Sequence, residues 1–139
     1  IDAFVAGYGT GGTLAGIGAA LKKANPRTRV LAMEPAEAAM LAGECPCCHS
    51  IEGIAGGFLP PLLRSAPLDG QIRIASAEAM AMTRRLSREF GLCVGTSSGG
   101  NVAAALRVAR GLNSGATVAT VLCDRAERYF STALFEGEH

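Results

Sequence analysis

Gly7-Tyr8-Gly9-Thr10-Gly11-Gly12-Thr13 is the stretch from which the fold can be read. An apolar run, residues 1–6, precedes it and predicts a strand. Residues 13–24 follow and predict a helix of small residues, ending in Lys22 and Lys23, which suit the negative end of its dipole. A strand, a glycine turn and a helix in that order make an anion cradle. Glycines let the backbone approach an anion closely, and the N–H groups of the helix start point at it. Thr10 and Thr13 add hydroxyl donors. Asn25-Pro26 turns the chain into residues 29–34, a second strand stopped by Pro35. This β-loop-α-β unit implies a parallel sheet with a right-handed crossover.

Further along, residues 37–42 read as a short helix. Residues 43–61 are rich in glycine and proline, a long loop of the kind that usually carries function. Residues 71–75 alternate as a strand. Ser76 is expected to cap a helix over 77–90, with Ala79, Met82, Leu86 and Phe90 on its apolar face and Gly91 at its end. Leu92-Cys93-Val94 is a brief strand-like run before a second glycine turn, Gly95-Thr96-Ser97-Ser98-Gly99-Gly100. A helix over 101–110 follows that turn, and residues 117–122 predict a buried strand ending at Cys123-Asp124. The expected fold class is α/β, a parallel-sheet core with flanking helices in one domain.

The chain has 139 residues, is 49% hydrophobic and carries a net charge of +1. Its charges are scattered, so no basic patch points to nucleic acid. Glycines and charges break every apolar run, so no membrane span is expected. There is no signal peptide; the chain opens directly in a strand-like run, which reads as the start of a fragment. The five cysteines are odd in number and three of them cluster, unlike a secreted disulfide framework. A reducing cytoplasm is the expected location. Cys45, Cys47, Cys48 and His49 are crowded too closely to surround one tetrahedral ion, so no metal site is assigned.

Two readings of the first loop stay open on the residues alone. Gly7, Gly9 and Gly12 satisfy G-x-G-x-x-G, and Glu34 ends the next strand about 20 residues later, where a ribose-binding acid belongs. That describes a dinucleotide-binding Rossmann module. The extra glycine and the flanking threonines instead suit a compact monophosphate. In the second stretch, a serine hydroxyl can pair with a ring nitrogen, or Ser97 or Ser98 can simply cap the helix. Asp124 beside Arg125 reads as a structural ion pair.

Taken together, these pieces resemble the cysteine synthase family, the O-acetylserine sulfhydrylases among the fold type II pyridoxal-phosphate (PLP) enzymes, tryptophan synthase β-like in fold. The resemblance rests on residues 2–13, Met33-Glu34-Pro35-Ala36-Glu37, residues 49–60, Gly95-Thr96-Ser97-Ser98-Gly99, and Glu127-Arg128-Tyr129-Phe130-Ser131-Thr132. It implies that Gly9, Thr10, Gly11, Gly12 and Thr13 bind the PLP phosphate. Ser97 would pair with the pyridine nitrogen. Gly53, Ile54, Ala55, Gly56 and Gly57 would form a loop bordering the substrate and closing over it.

The implied reaction replaces the β-substituent of an activated serine, O-acetylserine or O-phosphoserine, with sulfide to give L-cysteine. Family members are commonly homodimers. The family's Schiff-base lysine lies in an N-terminal half that residues 1–139 lack, so no catalytic residue is assigned here. The chain is expected to be the C-terminal, PLP-binding portion of such an enzyme, inactive alone. A cystathionine β-synthase-like enzyme and an inactive remnant of the fold are the alternatives that this resemblance leaves open.

Overall fold

The computed structural model describes residues 1–43, 48–132 and 134. Strands β1 (Ala3–Gly7), β2 (Arg29–Pro35), β3 (Gly70–Ile74) and β4 (Val118–Thr120) form one sheet in the order β3-β2-β1-β4. Every neighbouring pair is parallel, and Val5 at its centre stands between Leu31 and Thr120. Helices α1 (Gly12–Ala24), α2 (Pro61–Arg64), α3 (Ser76–Phe90) and α4 (Thr96–Arg110) occupy the connections.

A parallel sheet must be covered on both faces, and the alternation of side chains along a strand divides its residues between them. Ala3, Val5, Leu31 and Met33 point to one side, where they pack with Ala79 of α3 and Ala103, Ala104 and Val108 of α4. Phe4, Ala6, Val30 and Ala32 point to the other, against Leu14 of α1 and Leu63 of α2. The carboxyl ends of β1 and β2 therefore emerge between two apolar layers, the place where open α/β sheets form ligand crevices.

The α/β reading holds, with several local corrections. Residues 37–42 form two short 3-10 turns, Ala36–Ala38 and Met40–Ala42. The single turn of α2, which follows the long loop, was not foreseen. Ser76 does not cap α3: Ala75 occupies the N-cap position and makes no side-chain bond, while Ser76 is the first helical residue. Gly91 does end that helix, in the left-handed conformation at φ 67°. Phe90 leaves the apolar face and is 63% exposed.

The largest correction concerns the second glycine stretch. Leu92-Cys93-Val94 joins no sheet; Val94 makes only an isolated antiparallel bridge with Arg125. Helix α4 begins at Thr96, not at Asn101, so the glycines and serines read as a turn are its first turns.

Candidate functional site

β1 delivers the chain to the crevice at Gly7, and residues 8–11 turn it into α1. Gly11 is the N-cap of α1 at φ 88°, with no side-chain cap. A Cβ there would also lie 3.0 Å from the Leu63 amide nitrogen, so glycine is required for both torsion and space. Gly9, Thr10, Gly12 and Thr13 are exposed. Around Gly12 the space is open, with Thr10 Oγ1 its nearest neighbour at 3.8 Å. An uncapped helix start rimmed by two hydroxyls and free of side-chain bulk fits a phosphate group.

The 53–57 loop lies against this cradle. A Cβ on Gly9 would stand 3.0 Å from the Gly53 carbonyl oxygen. The Ala55 N–H donates to the Tyr8 carbonyl at 2.9 Å. The Glu52 N–H donates to Thr96 Oγ1 at 3.1 Å, joining the loop to the first residue of α4. Ile54 and Ala55 are buried, whereas Gly53, Gly56 and Gly57 face outward.

The first turns of α4 complete the wall. Ser97 is 3% exposed and lies four residues before the fully buried Asn101, on the same helix face. Asn101 Oδ1 accepts the Gly7 N–H at 2.7 Å, and its Nδ2 donates to the Val121 carbonyl at 2.9 Å. Ser98 Oγ accepts the Cys123 N–H at 2.9 Å. Thus the cradle, the 53–57 loop and the Ser97 turn converge at the carboxyl edge of the sheet. The clamp Asn101 and the anchor Thr96 were missed in the sequence. Their signal was slight: an amide one turn beyond Ser97, and a hydroxyl beside it.

The glycines of this third piece serve packing. A Cβ on Gly99 would overlap Thr83 Oγ1 and the Ala79 carbonyl of α3, and one on Gly95 would overlap Asp124 and Tyr129. Gly100 faces the Met33 side chain, 2.9 Å from a built Cβ.

Glu34 does not present itself to a ribose. It is fully buried, and its Oε2 accepts the Tyr8 hydroxyl and the Leu41 N–H, each at 2.9 Å. Burial, followed by the Glu34 hydrogen bond and charge, drives the Tyr8 phenol well above its ordinary range. The dinucleotide reading loses its acidic residue.

The expected pairing of Asp124 with Arg125 is also replaced. Arg125 Nε meets Glu127 at 3.0 Å, and Asp124 Oδ2 accepts the Tyr129 hydroxyl. Burial, that hydrogen bond and the Asp124 charge push the Tyr129 phenol up to about 12.

Lys22 is partly buried and pairs with Asp69 at 2.7 Å. Burial opposes the Asp69 charge, yet Lys22 and the Val30 N–H hold its carboxyl below the usual range. Lys22 stands about 15 Å along α1 from the cradle. Cys45 and Cys47 lie outside the described residues, and Cys48 is an exposed free thiol.

An α/β protein with an anion cradle at a strand-to-helix turn is a broad class, and comparison narrows it. Residues 1–124 match the family described as pyridoxal-phosphate dependent enzyme, and the chain belongs to that family. It is 44% identical to a cysteine synthase of Staphylococcus aureus over 97% of its own length and 44% of that protein's. Among solved structures, it superposes on O-acetyl serine sulfhydrylase isoform 3 of Entamoeba histolytica with a TM-score of 0.95 at 36% identity. That match covers all of this chain and 42% of the other. The O-acetylserine dependent cystathionine beta-synthase of Helicobacter pylori matches with a TM-score of 0.92 at 40% identity, over 97% of this chain and 44% of that one. The chain therefore spans less than half the length of these relatives. No helix among the described residues is long and apolar enough to cross a membrane.

Proposed function

We propose that this chain is the C-terminal, PLP-binding portion of a cysteine synthase. The whole enzyme would replace the β-substituent of an activated serine, O-acetylserine or O-phosphoserine, with sulfide to give L-cysteine. The carrying observation is the convergence of the open cradle, the 53–57 loop and the buried Ser97 turn at one sheet edge. In this reading Gly9, Thr10, Gly11, Gly12 and Thr13 hold the phosphate through backbone N–H groups and hydroxyls. The Ser97 hydroxyl meets the pyridine nitrogen and, being neutral, leaves it unprotonated. When bound, PLP supplies the electron sink for β-elimination and addition.

Gly53, Ile54, Ala55, Gly56 and Gly57 border the amino-acid substrate and exclude water when they close. The lysine that holds the cofactor covalently comes from polypeptide outside residues 1–139, since Lys22 is engaged with Asp69 at the far end of α1. The assembled enzyme is a cytoplasmic homodimer in this reading.

The test uses the complete polypeptide. It should purify with PLP absorbance and form cysteine from an activated serine and sulfide. Ser97→Ala should keep the cofactor and slow turnover about five- to tenfold, the worth of one hydrogen bond. Ser97→Asp, whose carboxylate would favour a protonated ring nitrogen, should slow it further. NAD binding without PLP, or unchanged kinetics in both variants, would overturn the reading.

A further inference from the structure

Ala55 has a left-handed backbone, φ 47°, and no other non-glycine among the described residues has a positive φ. That conformation costs a residue with a Cβ roughly 1–2 kcal/mol, so its surroundings must hold it. Two hydrogen bonds do so. The Ala55 N–H donates to the Tyr8 carbonyl at 2.9 Å, and the Ala55 carbonyl oxygen lies 3.2 Å from His49 Nε2.

The role of each ring nitrogen follows from the other contact. The Ile51 N–H can only donate, and it lies 3.2 Å from His49 Nδ1. Nδ1 must therefore accept, which places the proton of the neutral ring on Nε2, facing the Ala55 carbonyl. One tautomer makes both bonds; a second proton on Nδ1 would confront the Ile51 N–H.

The base of the loop is tied down independently. The Ser50 N–H donates to Ser76 Oγ at 2.9 Å, and the Ser76 N–H donates to Glu37 Oε1 at 2.8 Å. Burial opposes the charge on Glu37, yet hydrogen bonds from Ser76 and, to a smaller degree, the nearby His49 hold the Glu37 carboxyl below its usual range. Its Oε2 is buried with no hydrogen-bond partner among the described residues. Among the described residues, the titratable groups nearest His49 in the chain are Cys48, an exposed thiol, and Glu52, an exposed residue whose backbone N–H is bound to Thr96. A doubly protonated ring thus loses Ile51 and is drawn toward Glu37.

We propose that His49 is a positioning residue: its neutral, Nε2-protonated ring locks the 53–57 loop, and protonation at Nδ1 releases it. That the loop borders a substrate rests on the proposed function; the lock itself does not.

The test again uses the complete polypeptide, with two readouts that need neither cofactor nor turnover. Nitrogen-15 spectra of the His49 ring should show the Nε2-protonated neutral form at alkaline pH. As the ring gains its second proton, amide-exchange protection at Ile51 and Ala55 should fall at least about tenfold, equivalent to roughly 1.4 kcal/mol. His49→Gln keeps a donor for Ala55 but cannot titrate, so its protection factors should not change over that pH range. In the working enzyme, KM for the amino-acid substrate should rise on acidification in the parent and stay level in the variant. An Nδ1-protonated neutral ring, or the same pH dependence in His49→Gln, would overturn the proposal. A lock present in a protein that binds no PLP would overturn only the proposed function.

Discussion

Two glycine-rich stretches look alike in sequence and do opposite things in space. At residues 9–12 the room is at Gly12, which is exposed beside an uncapped helix start and would meet only Thr10 Oγ1 at 3.8 Å, while a Cβ on Gly9 or Gly11 would press at 3.0 Å on the Gly53 carbonyl or the Leu63 amide nitrogen. At residues 95–100 the same absence is filled by protein. Gly95 receives Asp124 and Tyr129, Gly99 receives Thr83 and the Ala79 carbonyl, and Gly100 receives Met33. The first stretch leaves room at Gly12; the second lets α3 and α4 approach closely. Glycine content alone does not distinguish these uses. The difference lies in what a Cβ would meet.

Substitutions can break this contrast, and the largest effect belongs to Gly99→Ala. Its Cβ runs into backbone and a buried hydroxyl on α3, so α3 and α4 must move apart. Denaturant titration should show a loss of about 3 kcal/mol, and an unchanged midpoint would mean the crossing is loose. Next comes the contact that fills Gly95. Tyr129→Phe deprives Asp124 of its donor beside an already unpartnered Oδ1, at a cost of about 1–3 kcal/mol.

The same variant has a pH signature. Burial, the Asp124 hydrogen bond and the Asp124 charge push the folded phenol up to about 12, from an ordinary value of about 10, so the folded state holds its proton more tightly. That stabilisation is complete below the unfolded value and is lost as pH rises through the folded one. Parent stability should therefore decline between those two values, and Tyr129→Phe should remove about one proton from the slope.

The smallest effect on stability should come from Gly12→Ala. The Cβ enters open space on a helix turn, so stability should hold or rise by about 0.4–1 kcal/mol. Affinity of the complete polypeptide for PLP should nevertheless fall, because the added methyl occupies the cradle. Loss of stability with intact PLP binding would erase the distinction between the two stretches.

Much of this architecture is legible from local pattern. The 1–6 and 29–34 runs are short, mostly apolar and bounded by turn residues, and the small residues after Gly12 suit a helix. The Gly7–Thr13 motif states its position between them. What pattern could not resolve is whether Gly95–Gly100 turns or coils, because three glycines and two serines in six residues have poor helix propensity in isolation. Tertiary packing against α3 decides it. The fate of Glu34 was equally hidden: its position at a strand end matches a ribose acid, and only the Tyr8 hydroxyl folding back from the loop shows otherwise. Asn101 acts through backbone groups far away in sequence, Gly7 and Val121, which no spacing rule anticipates.

Asn101 also sets a dimension. The β1–β4 ladder pairs Val5 with Thr120 and extends no further. Just beyond it, the Asn101 carboxamide stands between the Gly7 N–H and the Val121 carbonyl. A carboxamide is a peptide group carried on a side chain, so it serves as a surrogate rung in a ladder whose next strand is too far away. The two chains are held apart by the span of that group instead of the usual 4.7–4.9 Å between strands. The gap between β1 and the chain leaving β4 is thus gauged by a buried amide, so the spacing at this edge of the sheet is set by a side chain where a strand pair would otherwise set it.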